Sequence, residues 1–347
     1  MKKFNFSIFT LLIIDMLWMI QVTAQETILL TEKPGTFKFR KEPLNGQGPD
    51  IYGKQCACTN AESDAMLGKL ENLVHVFRRT PVMAENKGFD GVCRLYGGRC
   101  SSKYGYAVPA DVKLWFKSWS LRKGQEVQWV NEPPQWIVEI NQLDKFRDNG
   151  FNESDFSNTS DPTNPAFSEK AQSETTIALN ELFYLPGVKE VIQPGIDRYG
   201  DYVVIYNPER PPYWEQVTVR EAFRLLLNYW KCMPDKAAVD VMIPVLNQEF
   251  AVFSEAEKDG FAYIGESESI SRIGSTKNET PVVRPNPAYW NRNLPKSTIQ
   301  LMVLEVFNPE YAESKMEKCL KNADGYYYVY KLMNELDINL LTSSIAH

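Results

Sequence analysis

Histidine is nearly absent from this chain of 347 residues. It occurs twice, and one of the two, His347, is the C-terminal residue. The other, His75, falls on the polar face of a predicted helix, which is typical of a solvated surface residue. A Ser-His-Asp or Cys-His hydrolase would have to be built around this one imidazole. The sequence therefore argues against these catalytic classes.

Several sequence motifs that mark catalytic or cofactor sites are also missing. The chain contains no H-E-x-x-H, no G-x-S-x-G, no G-x-G-x-x-G and no P-loop sequence. We therefore expect no metal site and no cofactor. Acidic side chains outnumber basic ones, which gives a formal net charge of −6. Such a charge does not suit a phosphate backbone, so we expect no nucleic-acid partner.

No apolar run in the chain reaches the roughly 18 residues of a membrane-spanning helix. The first residues carry two lysines and a mostly apolar stretch that Asp15 interrupts, and "VTA" then offers slim residues that suit signal peptidase. The pattern predicts a signal peptide over residues 1–24 and a mature chain that begins at Gln25. We expect a soluble exported protein, periplasmic or extracellular, with no transmembrane anchor after cleavage.

An even number of cysteines in an exported chain favours disulfide bonds, here among Cys56, Cys58, Cys93, Cys100, Cys232 and Cys319. Cys56 and Cys58 lie too close in sequence to bond comfortably to each other. We expect them to bond to Cys93 and Cys100, which leaves Cys232 with Cys319. The alternative is a four-cysteine zinc site, but the C-x-C and C-x6-C spacings are not those of a zinc knuckle.

The apolar periodicity predicts helices packed on mainly antiparallel sheets, an α+β architecture. A helical stripe begins near Ser63 and ends before Pro81, and the segments "GVCRLYG", "DVKLWFKSWSL", "QEVQWVN" and "QWIVEIN" then read as strands. Later, Thr218 and Glu221 form the S/T-x-x-E pattern of a capping box before an apolar helix. The segment "YYYVY" near the C-terminus fits either a strand or a helix.

A polar stretch divides the predicted elements into two groups. Residues 148–176 are rich in Asn, Ser, Thr, Asp and Pro and have few aliphatic side chains, which is typical of a segment that cannot bury enough surface to fold alone. We interpret this stretch as a linker. It separates an N-terminal α+β domain, residues 25–147, from a C-terminal α+β domain, residues 177–347.

Aromatic residues offer the candidate binding site. In "KLWFKSW" the strand alternation places Trp115 and Trp119 with lysines, on the face opposite the aliphatic residues. The chain also has three similar segments, "NEPPQW", "ERPPYW" and "PNPAYW", the first of which ends in Trp136. Their flanks predict different elements, so they do not form a repeat. We take Trp115, Trp119 and Trp136 as ligand-binding candidates for a glycan or a partner protein.

Paired carboxylates give the main alternative, because a glycosidase needs only two acids roughly 5–10 Å apart. Glu132 and Glu139 flank "NEPPQW" and are candidates for such a pair. A third hypothesis is a protease inhibitor, since a helix laid on an antiparallel sheet is also an inhibitor architecture. The sequence assigns no catalytic residue.

The segments "EPPQWIVEIN", "VTVREAFRLLLNYW" and "LPKSTIQLMVLEV" resemble uncharacterised exported proteins of Bacteroidota. This resemblance implies a location in the periplasm or outside the cell, and it carries no catalytic motif. Taken together, the sequence favours an exported binding or structural protein over an enzyme.

Overall fold

The structure is a computed structural model of the chain, and it describes residues 27–42, 58–98, 106–146, 182–233, 235–265, 269–277 and 279–346. The predicted signal peptide and the predicted linker therefore lie outside the described residues. No helix in these ranges has both the length and the apolar content that a membrane crossing requires.

The strands and helices are numbered in chain order. The strands are β1 (Ile28–Leu29), β2 (Phe37–Glu42), β3 (Phe89–Tyr96), β4 (Ala110–Arg122), β5 (Gln125–Gln128), β6 (Gln135–Ile140), β7 (Lys189–Gln193), β8 (Ile196–Tyr199), β9 (Tyr202–Tyr206), β10 (Trp214–Gln216), β11 (Tyr263–Ile264), β12 (Ile273–Gly274), β13 (Thr280–Pro281), β14 (Val283–Pro285) and β15 (Leu301–Glu305). The helices are α1 (Asn60–Phe77), α2 (Pro81–Glu85), α3 (Val219–Lys231), α4 (Lys236–Val252), α5 (Glu255–Lys258), α6 (Pro309–Asn322), α7 (Tyr327–Glu335) and α8 (Asn339–Thr342).

One mixed sheet dominates the fold, with its strands in the order β2-β3-β4-β6-β15-β9-β8-β7 and with β1 and β5 added to the long strand β4. Within this sheet β2 and β3 are parallel, and the other pairs are antiparallel. This confirms the α+β class. Strand β15 places Met302 opposite Ile140 of β6 and Ile205 of β9. Since one sheet joins strands from both halves of the chain, the division into two domains stays a prediction.

Helices α1, α2, α7 and α8 cover one face of this sheet and form with it the helix-side core. Helix α1 begins with a capping box, in which Thr59 accepts from the Glu62 backbone N–H and Glu62 accepts from the Thr59 backbone N–H. Its stripe of Met66, Leu70 and Phe77 is fully buried. The predicted helix is confirmed, and the capping box adds one turn before its predicted start.

Aromatic side chains cover part of the other face, over β15, β9 and β8. This aromatic cluster contains Phe146, Tyr184, Tyr199, Tyr213, Tyr289 and Trp290, with Tyr202, Tyr206 and Trp214 packed against it. Its sheet side is formed by Leu301, Val303 and Val204, which alternate along their strands with residues of the helix-side core. The central strands are therefore buried on both faces.

Helices α3 and α4 build a third apolar cluster with the short strands β11 and β12. At the start of α3 the Thr218 hydroxyl accepts from the Glu221 backbone N–H, at 3.2 Å. The Glu221 carboxylate binds Arg224 instead of completing the predicted capping box. Helix α4 continues through Pro244. The ambiguous segment "YYYVY" becomes the start of helix α7.

The disulfide predictions are not supported by the structure. Cys58, Cys93 and Cys319 are free thiols, so the expected bond between Cys232 and Cys319 is not formed. Burial raises the pKa of Cys93 to about 12 and that of Cys319 to about 11, so both thiols stay protonated and unreactive at neutral pH. The other expected partners, Cys56 and Cys100, lie outside the described residues.

Substitution of Trp136 tests the packing of the helix-side core. Its side chain is 1% exposed, its ring packs edge-on against Phe77 at 5.1 Å, and its indole N–H donates to the Glu305 carbonyl at 2.8 Å. We expect Trp136→Ala to lower the free energy of unfolding by about 3–5 kcal/mol, measured by urea denaturation. Trp129→Ala, at a 38% exposed tryptophan, serves as the control. A Trp136→Ala loss no larger than the control would contradict this packing.

Candidate functional site

Trp115 and Trp119 lie on the predicted face of β4. Residues Val112, Leu114 and Phe116 are buried in the helix-side core, whereas the two tryptophans are half-buried on the opposite face. The predicted alternation of this strand is therefore confirmed. Whether these rings bind a ligand stays a prediction.

A positively charged side chain of the protein lies over the ring of each of these two tryptophans. The Arg94 guanidinium lies 4.6 Å from the Trp115 ring centroid, and the Lys33 ammonium lies 3.9 Å from that of Trp119. The Trp119 indole N–H is buried and has no hydrogen-bond partner among the described residues. Because stacking on a ring needs an open aromatic face, these contacts make the sheet face a poor platform for a sugar ring.

Trp136, the third candidate, is part of the helix-side core. With 1% of its surface exposed it offers no surface to a ligand in this conformation. The three tryptophans that the sequence placed at one binding site are therefore separated in the fold. Trp136 lies on one face of the sheet, and Trp115 and Trp119 lie on the other.

The candidate carboxylates are also separated. Glu132 is exposed in the turn before β6, at a φ of 47°, whereas Glu139 is buried within β6. Glu139 lies directly opposite Asp111 of β4, and the two are 9% and 1% exposed. Burial, together with the charges of Asp144 and Asp111, raises the pKa of Glu139 to about 7. Neither buried carboxylate has the exposed surface that contact with a substrate requires.

His75 is exposed on α1, with its ring 6.3 Å from that of Phe39, as expected for a surface residue. In the described ranges, no group of three or more His, Cys, Asp or Glu side chains has the arrangement of a metal site.

A further candidate site is a cavity of about 520 Å³ beside the aromatic cluster. We call it the aromatic cavity. Its apolar wall consists of Tyr199, Tyr213, Trp214, Tyr263, Pro186, Pro212, Pro281, Val188 and Val283. Its polar side chains are Lys189, Gln216, Lys277 and Glu279. This mixture of a mainly apolar wall and a few polar groups is typical of ligand pockets.

The segment "PPYW" builds one side of the aromatic cavity. Its prolines give an extended approach to β10, which pairs with β14 so that Trp214 lies opposite Pro285. The Trp214 ring packs at 5.4 Å from Tyr184 and 5.8 Å from Phe146. The related segment "PAYW" adds Tyr289, whose ring is 6.1 Å from that of Tyr213. Two of the three similar segments therefore meet in the aromatic cluster.

A buried carboxylate positions the tyrosines of the cavity wall. Asp197 is fully buried and accepts from the Tyr213 hydroxyl at 2.6 Å and from the Tyr206 hydroxyl at 3.2 Å. The Tyr199 and Tyr213 hydroxyls are 3.0 Å apart. Since Tyr213 gives its one hydroxyl hydrogen to Asp197, Tyr199 is the donor in this second bond. Lys189 lies 3.3 Å from Asp197 and balances its charge.

Burial raises the pKa of the Tyr213 and Tyr199 hydroxyls above their ordinary values, so both stay protonated over the physiological range. Fully satisfied polar networks of this kind hold their side chains in one arrangement. This network therefore holds the side chains of Tyr199 and Tyr213 in the cavity wall.

Sequence reasoning missed the aromatic cavity. The signal it could have used is the "PPYW" segment, which it took only as an anchor for the following element. The rest of the wall comes from strands that are far apart in sequence, and Tyr263 on β11 has no local pattern that marks it as a cavity residue.

Comparisons of the chain with protein-family models, with curated proteins and with solved structures each find no match.

The raised pKa of Glu139 predicts that the free energy of unfolding depends on pH. Because its folded-state pKa is raised from 4.5 to about 7, the folded protein holds this proton more tightly than the unfolded chain. The stability that this group contributes is present below about pH 4.5 and is lost as the pH rises through 7. We expect Glu139→Gln to gain roughly 2–3 kcal/mol relative to the wild type between pH 5 and pH 8.

The measurement is the urea midpoint of each protein at these two pH values. Glu132→Gln, at the exposed turn, is the matched control and should follow the wild type at both. Parallel behaviour of Glu139→Gln and the wild type would show that Glu139 ionises normally in the folded state.

Proposed function

We propose that this chain is an exported, non-enzymatic binding protein whose aromatic cavity takes an apolar side chain of a partner protein. The observation that carries the proposal is the cavity itself. Aromatic rings, prolines and valines form most of its wall, and the wall is held in place by the buried Asp197 network. A preformed apolar pocket binds with little loss of its own conformational entropy.

An apolar side chain fits this cavity better than a sugar does. Sugar rings stack on open aromatic faces while surrounding polar groups bind their hydroxyls. Among the described residues, four charged or amide side chains line the cavity beside the tyrosine hydroxyls, and most of the lining is apolar. Lys189, one of the four, is already paired with Asp197. We therefore favour a protein partner, and a glycan is an outcome that the experiment below distinguishes.

The non-enzymatic part of the proposal rests on the scarcity of histidine, the missing motifs and the burial of Asp111 and Glu139. A carboxylate-dependent glycan hydrolase and a protease inhibitor stay alternative predictions. Neither has an observation in the structure that favours it over binding.

Export is proposed on the pattern of residues 1–24 alone. We expect N-terminal mass spectrometry of protein expressed from the full chain in a bacterial host to find a mature chain that begins at Gln25 in the periplasm or medium. An intact N-terminus on protein that stays in the cytoplasm would contradict export.

The cavity is tested with small probes that carry single side chains. These are the N-acetyl amides of tryptophan, tyrosine, phenylalanine and leucine, compared in a thermal-shift assay with neutral oligosaccharides. At ten times its dissociation constant a probe stabilises the folded state by about 1.4 kcal/mol. We expect stabilisation by the apolar amides and none by the oligosaccharides.

Gln216→Trp provides the discriminating variant, because Gln216 is exposed at the cavity and a tryptophan there would fill part of its volume. The control is Gln135→Trp, the same change at an exposed position of β6 opposite Trp115. Only Gln216→Trp should abolish the response. Stabilisation by oligosaccharides alone would replace the protein partner by a glycan, and no stabilisation by any probe would overturn the proposal.

A further inference from the structure

Strand β7 is the edge of the main sheet on the side of the aromatic cavity. In the part of the chain that the structure describes, β7 pairs with β8 on one side only. All five of its residues, Lys189–Gln193, are exposed. The backbone N–H and C=O groups on its outer side are therefore available to another strand.

Three apolar side chains at or next to this edge are exposed to solvent, which is energetically unfavourable. Val188 is 82% exposed, Val191 is 58% exposed and Ile192 is 39% exposed. Natural proteins protect such edges with charged residues, above all lysine. The one lysine of β7, Lys189, is paired with Asp197 at 3.3 Å, which leaves Glu190 as the other charged side chain of this strand.

The register of the hairpin limits how far a new strand could pair. The pairing of β7 with β8 shifts between Val191 and Gln193, so Ile192 forms a bulge. Bulges interrupt the regular row of backbone groups. The strand itself begins at Lys189, so a partner strand would pair along residues 189–191, next to the cavity.

The edge strand and the cavity share Lys189, and the two residues before the strand also line the cavity. Gly187, Val188 and Lys189 line the aromatic cavity. Lys189 and Val191 share a face with Tyr199 and Asp197, their partners across the hairpin. A strand added to β7 would thus pass the cavity and could place one side chain in it.

We propose that the partner is an extended segment of another protein, which adds to the edge of β7 as a new strand and places an aromatic or aliphatic side chain in the aromatic cavity. Main-chain hydrogen bonds along β7 then supply affinity, and the cavity supplies specificity. This inference rests on the proposed function and names the form of its ligand.

The test uses a phage-displayed library of random heptapeptides selected on the folded protein. We expect selected peptides to share one large apolar residue and to have high strand propensity. Their binding should protect outward-facing amides of residues 189–191 from hydrogen exchange. Methylating alternate backbone nitrogens of a selected peptide keeps its side chains but removes its donors, and should weaken binding by roughly tenfold or more.

Two variants separate the edge from the cavity. Val191→Lys adds a charge to the edge and should weaken binding, whereas Val241→Lys, at a 62% exposed valine on α4, is the matched control and should not. If Gln216→Trp abolishes binding but methylated peptides bind as well as the parents, the cavity proposal stands and strand addition is overturned. If methylation abolishes binding but Gln216→Trp has no effect, the edge binds and the cavity proposal fails.

Selection that yields no peptide, or peptides that leave residues 189–191 unprotected, would also overturn strand addition. The oligomeric state of the protein without peptide is measured by sedimentation. Dimers that Val191→Lys dissociates would show that β7 pairs with a second copy of this chain, and would replace the foreign partner.

Discussion

The insertion of β15 between β6 and β9 is the contact on which the rest of the structure depends. Leu301, Met302, Val303 and Leu304 are all buried, at 1% exposure or less. Met302 and Leu304 enter the helix-side core, while Leu301 and Val303 support the aromatic cluster. A strand buried on both faces must be apolar at every position, and "LMVLE" meets this requirement over its first four residues. Through it, both layers share one sheet.

This shared sheet explains why the aromatic cavity is a defined site. Strands β8 and β9 carry Tyr199, Tyr206 and Asp197, and their hydrogen bonds to Tyr213 fix the segment that leads into β10. A carboxylate with no exposed surface would be costly without partners, and here two hydroxyls and Lys189 satisfy it. The polar network therefore positions an otherwise apolar wall.

The two ends of the sheet differ in whether other side chains of the protein contact their large apolar groups. On β3 and β4 the large rings are covered by cations of the protein itself, as with Arg94 on Trp115 and Lys33 on Trp119. At the opposite edge, β7 leaves valines and backbone groups exposed beside a cavity. The first arrangement places a cation against each ring, whereas the second leaves apolar side chains exposed to solvent.

The sequence by itself determined the local elements and their faces: the stripe of α1, the alternation of β4, the helix after Thr218 and the α+β class. Periodicity shows which residues share a face, but not what covers that face. Only the tertiary structure decided that Trp136 is buried, that "YYYVY" is helical and that β15 joins β6. Loop closure costs rise slowly with length, so distant segments compete almost equally for a strand edge. Packing selects among them.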